Sequence, residues 1–343
     1  MIFDLRFLVI LLMTLIMPGS LFALPMSELM GTNAPSAPVS YVTNATSRQV
    51  IYPFLPQDIR PGEKRAAIVL IHGGGWWAGD PSIFFPAARY FASRGIPAFS
   101  IGYRLIKADL SSAPGVPESL EDCRAALRYI RAHAEKYGVD PNRIAVMGDS
   151  AGGHLSACLG TMIDPKDAST GVRSSADAMI LCNPIVDMTY GRWLRAIQRG
   201  EALKNLTATN VPMATPEQQR LAHELSPLFF VSGKTPPTLL MQGLEDTVVS
   251  PEQSRQFTAA MKKAGVRCNR VLIPGAHHAF ILPYYTATEA QVVKALCRAD
   301  RFLRSLNYLK GKPTLTVSTV PAWLPKPVIK PSPIPTTSAS PQK

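Results

Sequence analysis

Ser150 is the residue in this chain best suited to attack an electrophile. It stands in Gly148-Asp149-Ser150-Ala151-Gly152, where the apolar run Arg143-Ile144-Ala145-Val146-Met147 gives way to a helix-forming run, Ala151 to Met162. A serine between two glycines at a strand-to-helix junction is the sequence form of a nucleophile elbow, a turn tight enough to lift the side chain above a sheet edge. A Cβ at position 148 or 152 would collide with the neighbouring strand or helix, which is the reason for glycine there. The competing reading is a plain serine N-cap. A serine hydroxyl is a weak nucleophile at neutral pH. The chemistry therefore needs a histidine to take its proton and a carboxylate to fix that histidine's tautomer.

The chain offers six histidines. His72 belongs to a glycine loop, His133 to the helical run Glu118–Lys136, His154 lies one turn past Ser150, and His223 is in a polar segment. His277 and His278 remain, in a loop that follows the apolar run ending at Ile273. The acid is expected after the buried strand Pro237-Thr238-Leu239-Leu240-Met241-Gln242-Gly243, whose following loop carries Glu245 and Asp246. Either choice gives the chain order serine, acid, histidine.

An acyl-transfer site also needs N–H donors where a carbonyl oxygen turns negative. His72-Gly73-Gly74-Gly75-Trp76-Trp77 supplies them, because three glycines at the end of the apolar run Ala66–Ile71 leave backbone amides uncovered. A phosphate-binding loop would continue with G-K-[ST]; this one continues Ala78-Gly79-Asp80 and has no lysine to offer. Nucleotide binding is excluded on that ground.

These loops must be held by regular elements. Periodicity predicts strands at Ala66–Ile71, Ile96–Ser100, Ile144–Met147, Ala178–Leu181, Thr238–Met241 and Arg270–Ile273. It predicts helices near Pro81–Arg94, Glu118–Lys136, Ala151–Ile163, Pro251–Ala264 and Thr286–Leu306. Alternation at this spacing means an α/β fold with a mostly parallel sheet, right-handed crossover helices on both faces, and a site at the strands' C-terminal ends.

With these motifs in hand, the chain resembles the α/β-hydrolase superfamily and, within it, the H-G-G-G-W serine esterases: hormone-sensitive-lipase-like carboxylesterases and feruloyl or acetylxylan esterase-like proteins. His72–Trp76 with Gly79-Asp80, Tyr103-Arg104-Leu105, Gly148–Gly152 with Gly153-His154, and Ser226-Pro227 before Pro236-Pro237 carry the resemblance over Ile51 to Leu306. It implies that the acid of G-x-x-D-x-x-V is Asp246 rather than Glu245. It also implies that the base of the H-G-F turn is His278 rather than His277, with Ala279 where the glycine usually stands. Gly74 and Gly75 would then supply the oxyanion hole beside the N–H of Ala151. No metal and no cofactor is called for.

The interval 187–235 is longer than an ordinary crossover and holds Trp193, Leu194, Ile197 and Leu206 at helical spacing, the pattern of a small cap-like insertion. Asp187 either lines the cleft beneath it or caps a helix. Trp76 and Trp77 can stack on a sugar or an aromatic acyl group, or pack into the core.

The termini differ in kind from the rest. Phe7–Met17 is apolar, follows Arg6 and precedes Pro18-Gly19-Ser20, with Leu21-Phe22-Ala23 as a cleavage site, so residues 1–23 read as a signal peptide of a secreted or periplasmic protein. Cleavage would leave no stable membrane span. Residues 24–46 read as a linker, 47–310 as the catalytic domain, and 311–343, rich in Pro, Ser and Thr, as a disordered tail. The five cysteines show no C-x-x-C spacing and cannot all pair, though one or two disulfides are open to an exported chain. A net charge of +12 suggests anionic partners, yet no basic run interleaved with aromatics argues for nucleic acid. The expectation is an exported serine hydrolase acting on esters of small molecules or acylated polysaccharide. An amidase, arylformamidase-like enzyme or peptidase on the same scaffold, and a non-catalytic binding protein, are the competing classes.

Overall fold

The computed structural model describes residues 23–30, 36–43, 48–106, 115–191, 193–194, 213–283 and 285–319. Their strands are β1 (Leu24–Pro25), β2 (Val39–Ser40), β3 (Val50–Phe54), β4 (Arg65–Ile71), β5 (Ala98–Ile101), β6 (Val139–Asp149), β7 (Ala178–Cys182), β8 (Thr238–Gly243), β9 (Cys268–Ile273) and β10 (Leu315–Thr316). Eight of them form one sheet in the order β2-β3-β5-β4-β6-β7-β8-β9. β4 to β9 are parallel, whereas β3 runs antiparallel to β5 and β2 antiparallel to β3. All six strands expected from periodicity are present. The antiparallel pair β2–β3 was not among the expected strands: β2 is only two residues long, and Pro53 within the apolar run of β3 suits that strand to a place outside the parallel core.

The central strands are apolar throughout because both faces are covered. Along β4 the side chains alternate between two cores. Ala67, Val69 and Ile71 join Leu127, Leu155 and Phe257 on one face, whereas Ile68 and Leu70 join Phe91, Leu296 and Phe302 on the other. Helices Val116–Ala132, Ala151–Thr161 and Pro251–Lys263 thus lie on one side, and Phe85–Ser93 and Glu289–Ser305 on the opposite one.

Topology places the functional loops. The chain moves from β4 outward to β5 and then crosses back to β6 on the other side of β4, so the crevice between the ends of β4 and β6 is a switch point where ligands bind. Ile71 is in register with Gly148, and Gly243 with Ile273. The glycine loop therefore leaves the sheet level with the serine turn, and the acid loop level with the histidine loop.

Two expectations are corrected. Residues 24–30, read as linker, and 311–319, read as the start of a disordered tail, are built into the fold: β1 pairs in parallel with β10. Leu24 N–H donates to the Thr314 carbonyl at 2.9 Å, Ser27 N–H to Ser318 Oγ at 2.9 Å, and Ser318 N–H to Glu289 Oε1 at 2.6 Å. Met26, Leu29 and Leu315 enter the core beside the last helix. Such a clasp escapes periodicity because each strand is two residues long and its partner is almost the whole chain away. All five cysteines are free thiols, and all but Cys268 are buried, so the disulfide option is not taken up.

The expected signal segment 1–22 and the tail beyond 319 lie outside the described residues, as do Ile197 and Leu206 of the cap. Of that insertion, residues 187–191, 193–194 and 213–235 are described, among them helix Pro216–Glu224; Ala222 and Trp193 pack into the same core as the serine-bearing helix. No helix among the described residues is long and apolar enough to cross a membrane.

Candidate active site

β6 ends in a turn that holds Ser150 at φ 54°, a left-handed conformation that costs a non-glycine residue roughly 1–3 kcal/mol. The surrounding packing enforces it. A Cβ on Gly148 would be driven into the Gly152 carbonyl, and one on Gly152 into the carbonyls of Ile71 and His72. Ser150 N–H donates to the Cys182 carbonyl at 3.0 Å, tying the turn to β7.

Ser150 Oγ lies 2.9 Å from His278 Nε2, and His278 Nδ1 lies 2.9 Å from Asp246 Oδ2. A carboxylate only accepts, so Nδ1 carries the ring proton and Nε2 accepts from the serine hydroxyl. Asp246 Oδ1 in turn accepts from the N–H groups of Val248 and Val249, each at 2.9 Å. The three side chains are buried beneath the loops that carry them. Glu245 and His277 are exposed and meet each other instead, His277 Nδ1 lying 3.1 Å from the Glu245 carbonyl. Ala279 adopts φ 62°, a conformation that favours glycine, and Thr286 Oγ1 donates to the His278 carbonyl on the same turn.

The glycine loop lies against the serine: a Cβ on Gly73 would sit 3.2 Å from Ser150 Cβ. The N–H groups of Gly74, Gly75 and Ala151 donate to no backbone carbonyl among the described residues. Amides without a backbone acceptor are what an oxyanion hole would draw on. The loop is braced from behind. Tyr103 Oη donates to the His72 carbonyl at 2.8 Å, and Ile106 N–H to the Trp76 carbonyl at 2.8 Å. Burial pushes His72 down to about 4, so it is neutral under ordinary conditions.

The two expected substrate contacts are placed differently. Trp76 is fully buried, edge-on to His154 and Trp193, and belongs to the core; Trp77, 44% exposed, is the one at the surface. Residue type alone does not separate adjacent tryptophans in a turn, where the backbone decides; Trp76 adopts φ 69°. Asp187 caps none of the helices among the described residues. Its Oδ1 accepts from Thr189 N–H at 2.8 Å and Thr189 Oγ1 at 2.6 Å, shaping the loop after β7. That loop contributes Tyr190 and Trp193 to a cleft of about 370 Å³ whose other wall includes Asp246, Val248, Ser250 and Gln253.

Asp149 is a site residue the sequence reading passed over. It is wholly buried, accepts from Asn183 Nδ2 at 2.9 Å, and burial pushes its carboxyl up to about 6, with the His278 charge opposing the rise. Its place inside the serine motif was the available signal. No group of three or more His, Cys, Asp or Glu residues among the described residues could hold a metal ion.

Residues 54–261 match the BD-FAE family. Esterase LipQ of Mycobacterium tuberculosis is 26% identical over 231 residues, 66% of this chain and 52% of LipQ. Endo-1,4-beta-xylanase B of Butyrivibrio fibrisolvens is 31% identical over 232 residues, 66% of this chain and 33% of the xylanase. The chain thus spans about half the length of the first of these relatives and a third of the second. Among solved structures, esterase 2 of the planctomycete Thermogutta terrifontis with propionate bound superposes with a TM-score of 0.67 at 31% identity, covering 81% of this chain and 96% of that one. The same esterase has been solved phosphorylated by paraoxon.

Proposed function

The chain belongs to the BD-FAE family, within the α/β-hydrolase carboxylesterases, and from that premise we propose that it is an exported serine hydrolase cleaving short-chain carboxylic esters, including acylated carbohydrates. The observation that carries the reading is the pair of 2.9 Å contacts linking Ser150, His278 and Asp246. His278 Nε2 takes the Ser150 proton as Oγ attacks the ester carbonyl. The oxyanion of the tetrahedral intermediate accepts from Gly74, Gly75 and Ala151 N–H, while Asp246 supports the imidazolium. His278 then protonates the departing alcohol. Water, deprotonated by the same nitrogen, attacks the acyl-enzyme and frees the acid, returning the proton and the serine to their starting state.

Support for small acyl groups comes from the T. terrifontis relative, solved with propionate and also with butyrate bound. Support for a carbohydrate alcohol comes from the xylanase relative. The apolar segment before Ala23 supports export. Purified protein is to be assayed against p-nitrophenyl acetate, butyrate and longer esters, a feruloyl ester, and an N-formyl arylamine. Turnover falling with acyl length, without formamide turnover, is expected. Dominant formamide hydrolysis would make it an amidase, and a folded protein that never reacts with a fluorophosphonate at Ser150 would make it a binding protein.

A further inference from the structure

Gln242, the penultimate residue of β8, is completely buried beside the acid loop. Its Nε2 lies 3.1 Å from Asp246 Oδ2, 3.2 Å from the Val249 carbonyl and 3.4 Å from the Gly243 carbonyl. All three neighbours are acceptors. The amide orientation is thereby fixed, since the flipped rotamer would aim its carbonyl at three oxygens. The cost sits at the other end of the side chain, where Oε1 is buried with no partner among the described residues. An orphaned buried carbonyl is expensive, and an apolar side chain of similar size would avoid it. What the glutamine supplies in return is a donor on the oxygen that holds the histidine.

On the reading of the site given above, we propose that Gln242 is a positioning residue, whose amide fixes the rotation of the Asp246 carboxylate so that Oδ2 stays on His278 Nδ1. Asp246 Oδ1 is held by two backbone amides of its own loop, a support that moves with that loop. Gln242 belongs instead to the sheet. It references Oδ2 to β8, whose end is in register with β9, from which the histidine loop departs. The four hydrogen bonds together leave the carboxylate one orientation, with His278 as the partner it cannot exchange.

Two substitutions separate this role from simple packing. Gln242→Leu removes the donor at similar volume; kcat is expected to fall about ten- to a hundredfold at unchanged KM, the range for one hydrogen bond to a charged group. Gln242→Glu restores a donor only while protonated. The titratable groups around it are Asp246, His278 and, at the end of β6, Asp149. Burial and the Asp246 charge raise the pKa of a glutamate introduced there. The ratio of its kcat to that of the native enzyme is therefore expected to approach one at pH 5 and fall at least tenfold by pH 8. A second readout needs no turnover: the low-field NMR proton on His278 Nδ1 is expected in the native protein and broadened or shifted upfield in Gln242→Leu. Values of kcat per paraoxon-titrated site equal to native, or a pH-independent Gln242→Glu ratio with an unchanged low-field proton, would overturn the proposal. A native protein that shows the proton and its loss in Gln242→Leu but hydrolyses no ester would instead overturn the esterase reading.

Discussion

Tyr103 meets His72 twice: its ring stacks on the imidazole, with centroids 4.4 Å apart and planes 15° from parallel, and its hydroxyl donates to the His72 carbonyl at 2.8 Å. Both residues are buried, so the tyrosine two residues past β5 sets the height of the glycine loop that leaves β4. Tyr103→Phe keeps the stack and orphans a buried acceptor, a loss of about 1–3 kcal/mol. Thermal unfolding should register that loss. kcat should drop roughly tenfold, short of the 10²–10³ for removing an oxyanion donor outright. An unchanged kcat would show that the loop keeps its geometry without the brace.

The histidine tautomer gives a second test. Asp246→Asn leaves the shape intact but replaces an acceptor that demands Nδ1–H with an amide that can donate to Nδ1. The proton then shifts to Nε2, and Nε2 can no longer accept from Ser150. A fall in kcat of about 10⁴ is expected, with Ser150→Ala at least as severe and the double variant no worse than the serine variant alone. Multiplying effects in the double variant would mean that the two residues do not work as one unit.

How much of this could be read from the amino-acid sequence depended on how local each signal was. The central parallel strands announced themselves because burial on both faces makes their middles apolar, whereas the edge strand β9 showed only as the short run Val271-Leu272-Ile273. Ser150 and the glycine loop announced themselves because their backbones tolerate few residues. Choosing Asp246 over Glu245 and His278 over His277 needed the family resemblance, since neighbouring residues in a loop differ only in where the backbone points them. Tyr103 and Asn183 act through contacts between the ends of neighbouring strands some thirty residues apart in the chain, and Gln242 through a turn that folds Asp246 and Val249 back onto it; no spacing rule reports such contacts. For Trp76 the position beside the glycine loop left substrate stacking and core packing both open, and contact with His154 and Trp193 claims it for the core.

Asp149 gives the fold a pH dependence whose sign can be worked out. Its carboxyl titrates near 3.8 in the unfolded chain and near 6 in the buried site. Below about pH 4 both states are protonated and nothing is lost. Between about 4 and 6 the native state keeps a proton that the unfolded chain has released, so stability falls as pH rises and levels off above 6. The total is on the order of 3 kcal/mol. Asp149→Asn retains an oxygen for Asn183 Nδ2 and removes the titration. Its melting temperature relative to native should climb across that window and stay level above it; a constant difference from pH 4 to 8 would contradict the assignment.

The clasp between β1 and β10 moves the boundary of the folded unit outward, to a place where truncation can find it. Leu315 is 5% exposed and packs against the helix Glu289–Ser305, while Ser318 bridges Glu289 and Ser27. A chain ending at Thr319 keeps all of these contacts. One ending at Lys310 loses the Leu315 burial, about 1.5–3 kcal/mol, together with the hydrogen bonds that Ser318 makes to Glu289 and Thr314 to Leu24, about 1 kcal/mol each. Scanning calorimetry should therefore find the chain ending at Lys310 unfolding several degrees below the chain ending at Thr319. If residues 311–319 were an appendage of the kind their composition suggests, the two truncations would melt together, because removing a segment that buries nothing costs the native state nothing.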